Sequence, residues 1–219
     1  MKFVVTPVST NLLYQVSFEE PRLELLKEEQ RISIINKFLK AFGLHLDGIM
    51  LNEATPSHNY LHFSKFYGSG YFDVSFGLEE VEASFNAPQN EAQVADLYGR
   101  LFQTFGENSI SYQTMTIQRQ LSTEEDAMPF LGSLNPHCPS NFEKFLHGRG
   151  VYYALKFPND ELTIYITLVN SLFVAGGLFL SIENQFLPNK YDFQNAFKIV
   201  KKRYDFILKE LNLKMKGVS

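Results

Sequence analysis

The sequence predicts an α+β fold built as a tandem duplication of one unit: strand, helix, antiparallel sheet, long helix. Three observations predict it. Apolar residues recur at helical spacing over 94–105 and 193–211, and each stretch follows a series of short β-favouring segments. The elements run in the same order in both halves. Two landmarks also repeat at an offset of 98, Tyr14-Gln15 with Tyr112-Gln113 and Asn90 with Pro188. The expected units are residues 1–107 and 108–219, packed together as one globular body with the helices on one face of the sheet.

The first half opens with a strand over Leu12–Phe18, stopped by Glu19-Glu20-Pro21. A helix follows from Glu29 to Phe42. Ile32, Ile35, Leu39 and Phe42 set its stripe, Ile34 and Phe38 widen it, and Gly43 supplies the left-handed stop. Leu44–Leu51 reads as a strand and Asn52–Ser57 as a loop. Tyr60–Tyr67 and Tyr71–Phe76 flank Gly68-Ser69-Gly70 as a hairpin. Val81–Phe85 alternates as a strand. The clearest helix comes next, with Val94, Leu97, Tyr98, Leu101, Phe102 and Phe105 on one face, Asn90 as its cap and Gly106 at its end.

The second half repeats the plan. Ile110–Leu121 reads as a strand, and Ser122-Thr123-Glu124-Glu125 reads as a helix start with its acids in the first turn. Asn135-Pro136 and Cys138-Pro139 break that helix, and Phe142–His147 suits another short turn. Val151–Phe157 and Leu162–Val169 form a hairpin around Pro158-Asn159-Asp160-Glu161, and Leu178–Phe186 is a strand. After Pro188 a final helix lines up Phe193, Ala196, Phe197, Val200, Tyr204, Ile207 and Leu211. This order of elements is similar to that of the TATA-binding-protein-like and helix-grip folds. The resemblance covers most of the chain, rests on no sequence motif and implies architecture alone.

Composition is that of an ordinary globular chain, 45 % hydrophobic and 20 % charged, with 21 Phe, 11 Tyr and no Trp. Phe carries large apolar area with no polar atom to satisfy, so a Phe-packed core is the simple reading and an apolar ligand cavity the sharper one. A single cysteine, Cys138, excludes an internal disulfide and a cysteine-rich zinc site. The amino terminus Met1–Pro7 has no long apolar run of the secretory kind. Ile164–Ile182, the most apolar stretch, is broken by polar residues and Gly176-Gly177 and does not suit a membrane span. The cytoplasm is the expected address.

The net charge of −4 is unevenly spread. Residues from Lys190 onward carry eight basic and three acidic side chains, whereas the rest carries 12 basic and 21 acidic ones. Lys198, Lys201, Lys202, Asp205 and Lys209 fall opposite the last helix's apolar stripe, with Arg203 at the border, a pattern whose simple reading is a solvated outer face. The five basic residues are the candidate partner-binding residues, suited to an acidic protein surface or to a weak, salt-dependent contact with a nucleic-acid backbone.

The chain shows no catalytic constellation. His58 and His62 sit in a loop and an alternating strand, where residues four apart are about 13 Å distant, and no acidic or thiol cluster completes a metal site. His137-Cys138 with His147 invites a cysteine nucleophile, which needs a base in reach and a third orienting group. Gly68-Ser69-Gly70 and Gly148-Arg149-Gly150 read as hairpin turns, not phosphate cradles, and Gly176-Gly177 as a bulge or close backbone approach. Acidic neighbours such as Glu19-Glu20, Glu79-Glu80 and Glu124-Glu125 read as solvated edges, and Asp73 and Glu82 as residues that could face each other across a sheet. The leading expectation is therefore a non-enzymatic interaction protein without cofactor or metal, a subunit or adaptor of a larger microbial assembly. The alternatives are a carrier or sensor of a small apolar ligand held between sheet and helix, and, behind it, an enzyme using Cys138 or the histidines.

Overall fold

The computed structural model describes residues 2–45, 50–52, 61–64, 71–86, 91–102, 104, 110–137, 146–156, 163–186 and 193–217. Among them are strands β1 (Phe3–Phe18), β2 (Met50–Asn52), β3 (Leu61–Ser64), β4 (Tyr71–Phe76), β5 (Glu80–Asn86), β6 (Ile110–Thr123), β7 (Gly150–Lys156), β8 (Thr163–Asn170), β9 (Leu178–Phe186) and β10 (Leu213–Met215). The helices are α1 (Glu28–Phe42), α2 (Glu91–Phe102), α3 (Ala127–Leu134) and α4 (Phe193–Glu210), with a 3-10 turn at Leu23–Leu26. The fold is α+β. The chain groups into two compact units, A (residues 11–115 and 185–198) and B (residues 1–10, 116–184 and 199–219). Their borders fall inside β1, β6, β9 and α4.

In unit A the strands follow the order β2-β3-β4-β5-β1, antiparallel throughout. Leu12, Tyr14 and Val16 lie opposite Phe85, Ala83 and Val81, and Phe72 and Val74 lie opposite Phe85 and Ala83, so one sheet face is continuously apolar. Period-two alternation produces this face. Both helices pack on it. Phe38 of α1 stacks on Phe63 at 4.1 Å and meets Phe76 edge-on at 6.2 Å, while Tyr98 of α2 lies 5.2 Å from Tyr14 and 6.0 Å from Phe72. Phe38, Phe42, Phe63, Phe72, Phe76 and Phe85 thus form an interlocked aromatic core in unit A.

In α1 the buried row is Ile34, Phe38 and Phe42, four residues apart, whereas Ile32 is 49 % exposed. The stripe expected through Ile32 is thereby rotated, because the large Phe rings, and not Ile32, reach the sheet. Gly43 ends the helix at φ 63° as expected. Leu44, expected to open a strand, instead donates its N–H to Leu39 O (2.9 Å) and closes the helix end. Met50 and Leu51 of the expected strand lie in β2, and residues 46–49 lie outside the described residues.

Unit B carries the order β6-β9-β8-β7, with β10 parallel to the start of β1. Ile164, Ile166 and Leu168 of β8 and Leu178, Leu180 and Ile182 of β9 are fully or almost fully buried at alternate positions. Val200, Tyr204 and Ile207 of α4 are buried with them, and the Arg119 guanidinium of β6 lies 4.8 Å over the Tyr204 ring. Asn212, at φ 55°, takes the left-handed conformation that Asn tolerates and turns the chain from α4 into β10.

Ser122 and Thr123 do not start a helix: β6 runs through Thr123, and α3 begins at Ala127 after Asp126, whose carboxylate accepts from Met128 N (3.1 Å). The strand ladder takes the Ser-Thr pair first. Gly148-Arg149-Gly150 is not a hairpin turn but the entry to β7, where a Cβ on Gly150 would press on Val169 Cγ1 and lie 3.0 Å from Leu168 O. The helical turn expected at Phe142–His147, the caps Asn90 and Gly106, Pro188 and the two hairpin tips lie wholly or partly outside the described residues.

Candidate functional site

The feature that stands out lies in unit B, in the turn joining β8 to β9. Residues 171–177, Ser-Leu-Phe-Val-Ala-Gly-Gly, break the apolar run at the point where the sequence places its glycine pair. Gly176 adopts φ 66°, a conformation open to Gly. Gly177 is needed for space: a Cβ there would collide with the Leu121 carbonyl oxygen and lie 2.7 Å from Val174 Cγ1. Of the two readings offered for this pair, close backbone approach is the one realised.

Side chains brace the turn from within and from β6. Ser171 Oγ accepts from Phe173 N (3.0 Å) and Val174 N (2.8 Å) and donates to Gln120 Oε1 (2.6 Å). The Ser171 N–H donates to Gly177 O, and the Gly177 N–H to Val174 O, both at 2.9 Å. Gly176 O accepts from the Thr123 hydroxyl (2.9 Å) and from Ala127 N (3.2 Å). On this frame Leu172 and Phe173 are 94 % and 84 % exposed. Two adjacent large apolar side chains in water, on a turn held by this many bonds, are unusual on a monomer surface.

The bonds to Gly176 O also fix the connection between β6 and α3 beside the turn. That connection, Glu124-Glu125-Asp126, forms one wall of an open cleft of about 450 Å³. Its apolar lining includes Phe3 and Phe130, which stack with centroids 4.3 Å apart and planes at 4°. Lys216 is ion-paired with Glu124, and Asp126 caps α3, while Glu125 is exposed. No family model and no curated protein matches the chain. The surface presents an aromatic floor, a rim of carboxylates with Lys2 and Lys216 among them, and a projecting apolar pair.

The residues singled out from sequence are dispersed. Lys198, Lys201, Lys202 and Lys209 are exposed along α4, and Arg203 is half-buried beside them, as the amphipathic pattern requires. His62 lies on the polar face of unit A's sheet with Nε2 4.0 Å from Asp73 Oδ1. Asp73 and Glu82 share that face, but the register sets Ser84 opposite Asp73 and Ser75 opposite Glu82, so the two acids are diagonal neighbours. His137 and His147 are exposed, and Cys138 and His58 lie outside the described residues. Among the described residues no group of three His, Cys, Asp or Glu is placed to hold a metal, and no helix is long and apolar enough to cross a membrane.

Sequence reasoning passed over Leu172, Phe173, Phe3 and Phe130. A signal for the first pair was present. Ser171 and Gly176-Gly177 bracket a turn, and a turn this short cannot return both intervening side chains to the core.

Proposed function

We propose that the chain is a non-enzymatic interaction protein, a subunit or adaptor of a larger assembly in a microbial cytoplasm. The observation that carries this reading is the exposure of Leu172 and Phe173 on a turn braced at both ends. Burying such a pair against another chain recovers hydrophobic free energy that the isolated chain leaves in contact with water. A second surface supports the same reading: Lys198, Lys201, Lys202, Arg203 and Lys209 give α4 a basic outer side suited to an acidic partner.

The duplicated plan belongs to the same proposal. It is supported by the like strand orders β3-β4-β5-β1 and β7-β8-β9-β6, each followed in the chain by a long helix. The experiment is a measurement of native size. Tagged at its own chromosomal locus and released gently, the chain is expected to travel in a complex well above its 25.2 kDa mass. A solitary monomer at every growth stage would refute the reading.

A further inference from the structure

We propose that Leu172 and Phe173 are the anchor of that interaction, inserted into an apolar pocket of a partner protein whose rim carries lysine or arginine. This deepens the interaction reading and rests on it, adding the docking surface and the chemistry of what it meets.

Three observations carry the inference. The fold does not need these side chains, because the turn is built by Ser171, Gly176 and Gly177 and by the bonds to Gln120, Thr123 and Ala127. Serine or asparagine at 172 and 173 would fit the same backbone and meet water better. The backbone that presents the pair is also braced before any partner arrives, so little backbone conformational entropy is lost on insertion. A preorganised aromatic and a neighbouring aliphatic are the residue types that anchor interfaces.

The third observation is charge. The strip Glu124-Glu125-Asp126 is tied to the turn through Gly176 O. Lys216 pairs with Glu124, Lys2 lines the same cleft, and Asp126 caps α3, which leaves the exposed Glu125 as the carboxylate best placed to meet a basic group. The backbone of Arg149 is held by Asn170, and its guanidinium lies close over Gly132 of α3. An apolar tip beside exposed carboxylates is repelled by anionic lipid headgroups, which attract basic segments instead. A protein pocket with a basic rim complements both parts at once, the carboxylates steering approach and the apolar pair holding the complex.

The test uses the full chain in its own cells. Phe173 is replaced by the photo-crosslinking residue p-benzoylphenylalanine, adducts are mapped to the residue, and native size is compared for wild type, Leu172→Ser/Phe173→Ser and Glu125→Lys. The expected adduct joins a different protein within an apolar pocket flanked by Lys or Arg. The double serine variant, with an unchanged melting temperature, is expected to lose partner affinity at least about a hundredfold, tenfold or more per side chain. Glu125→Lys is expected to slow association and to reduce its salt dependence. Adducts only to lipid, only to a second copy of the chain or to nothing overturn the inference, as does a mapped pocket with an acidic rim. If the wild-type complex survives the double serine substitution intact, the anchor is refuted while the interaction reading stands. A wild-type monomer refutes both.

Discussion

Above pH 10 the protein is expected to lose stability steeply through two tyrosines in the core of unit A. Tyr14 and Tyr98 are fully buried, with ring centroids 5.2 Å apart. Tyr14 donates its hydroxyl to Gln113 Oε1 at 2.8 Å, and Tyr98 donates to the Leu12 carbonyl at 2.5 Å. Burial pushes both hydroxyls well above the ordinary tyrosine range. For Tyr98 a smaller upward push comes from the charge Tyr14 would carry. In the unfolded chain both ionise near pH 10.

The sign follows from proton counting. Below pH 10 both states keep both protons and the pair contributes no pH dependence. Above it the unfolded state binds fewer protons than the native state, so the free energy of unfolding falls as pH rises. Each tyrosine contributes about 1.4 kcal/mol per pH unit, so the pair contributes about 2.7 kcal/mol per unit. A total stability of about 5–15 kcal/mol is then exhausted within a few units.

Urea unfolding followed by far-ultraviolet circular dichroism from pH 8 to 11.5 measures the effect in wild type and in Tyr98→Phe. The remaining tyrosines and lysines titrate alike in both proteins and cancel in the comparison. At pH 8 the variant is expected to be less stable by about 1–3 kcal/mol, since Leu12 O loses its buried donor. Above pH 10 it is expected to lose about 1.4 kcal/mol per pH unit less than wild type, so the two curves converge. Parallel curves would refute the assignment of alkaline sensitivity to this pair.

Other perturbations test separate parts of the structure. Phe38→Ala empties the centre of unit A's aromatic cluster and should cost about 3–5 kcal/mol in urea unfolding; Phe38 is fully buried against Phe42, Phe63 and Phe76. Gly177→Ala places a methyl group on the Leu121 carbonyl and should lower the melting temperature more than Gly176→Ala, where φ 66° is strained for Ala but nothing lies within 4 Å. The charge reversal Lys198→Glu/Lys202→Glu acts on exposed positions and should leave the melting temperature unchanged. It should weaken an acidic partner's binding in a salt-dependent way if the basic face docks.

What was legible in the sequence follows from which forces act locally. Long elements with a strong period were readable: Leu97, Tyr98 and Leu101 of α2 and Val200, Tyr204 and Ile207 of α4 are buried as their stripes require, and β9 runs over Leu178–Phe186 as its alternation dictates. The side chains of Val94, Phe102, Phe105 and Phe193 lie outside the described residues. The start of β1 was not, because Phe3–Asn11 carries Pro7 and a run of small polar residues. β10 was not either, since three residues have too little pattern and gain their strand geometry by pairing Leu213–Met215 with Phe3–Val5. α3 started late because a local capping preference lost to a long-range ladder. The register that makes Asp73 and Glu82 diagonal is likewise set by pairing partners that no single segment contains.

The same division explains why the basic face of α4 was visible in the sequence and the Leu172–Phe173 pair was not, and why the pair is the stronger pointer to function. An amphipathic helix needs a polar outer side whatever the protein does, so exposed lysines at 198, 201, 202 and 209 satisfy folding and solubility before any partner is considered. Leu172 and Phe173 have no such first explanation. They sit inside the most apolar stretch of the chain, yet a serine hydroxyl, a left-handed glycine and a glycine pressed against Leu121 O together turn them out into water. Folding would be served as well by polar residues at both positions, and solubility better. Side chains that oppose solubility and contribute nothing to the core, presented on a braced backbone, are the observation on which the proposed docking surface rests.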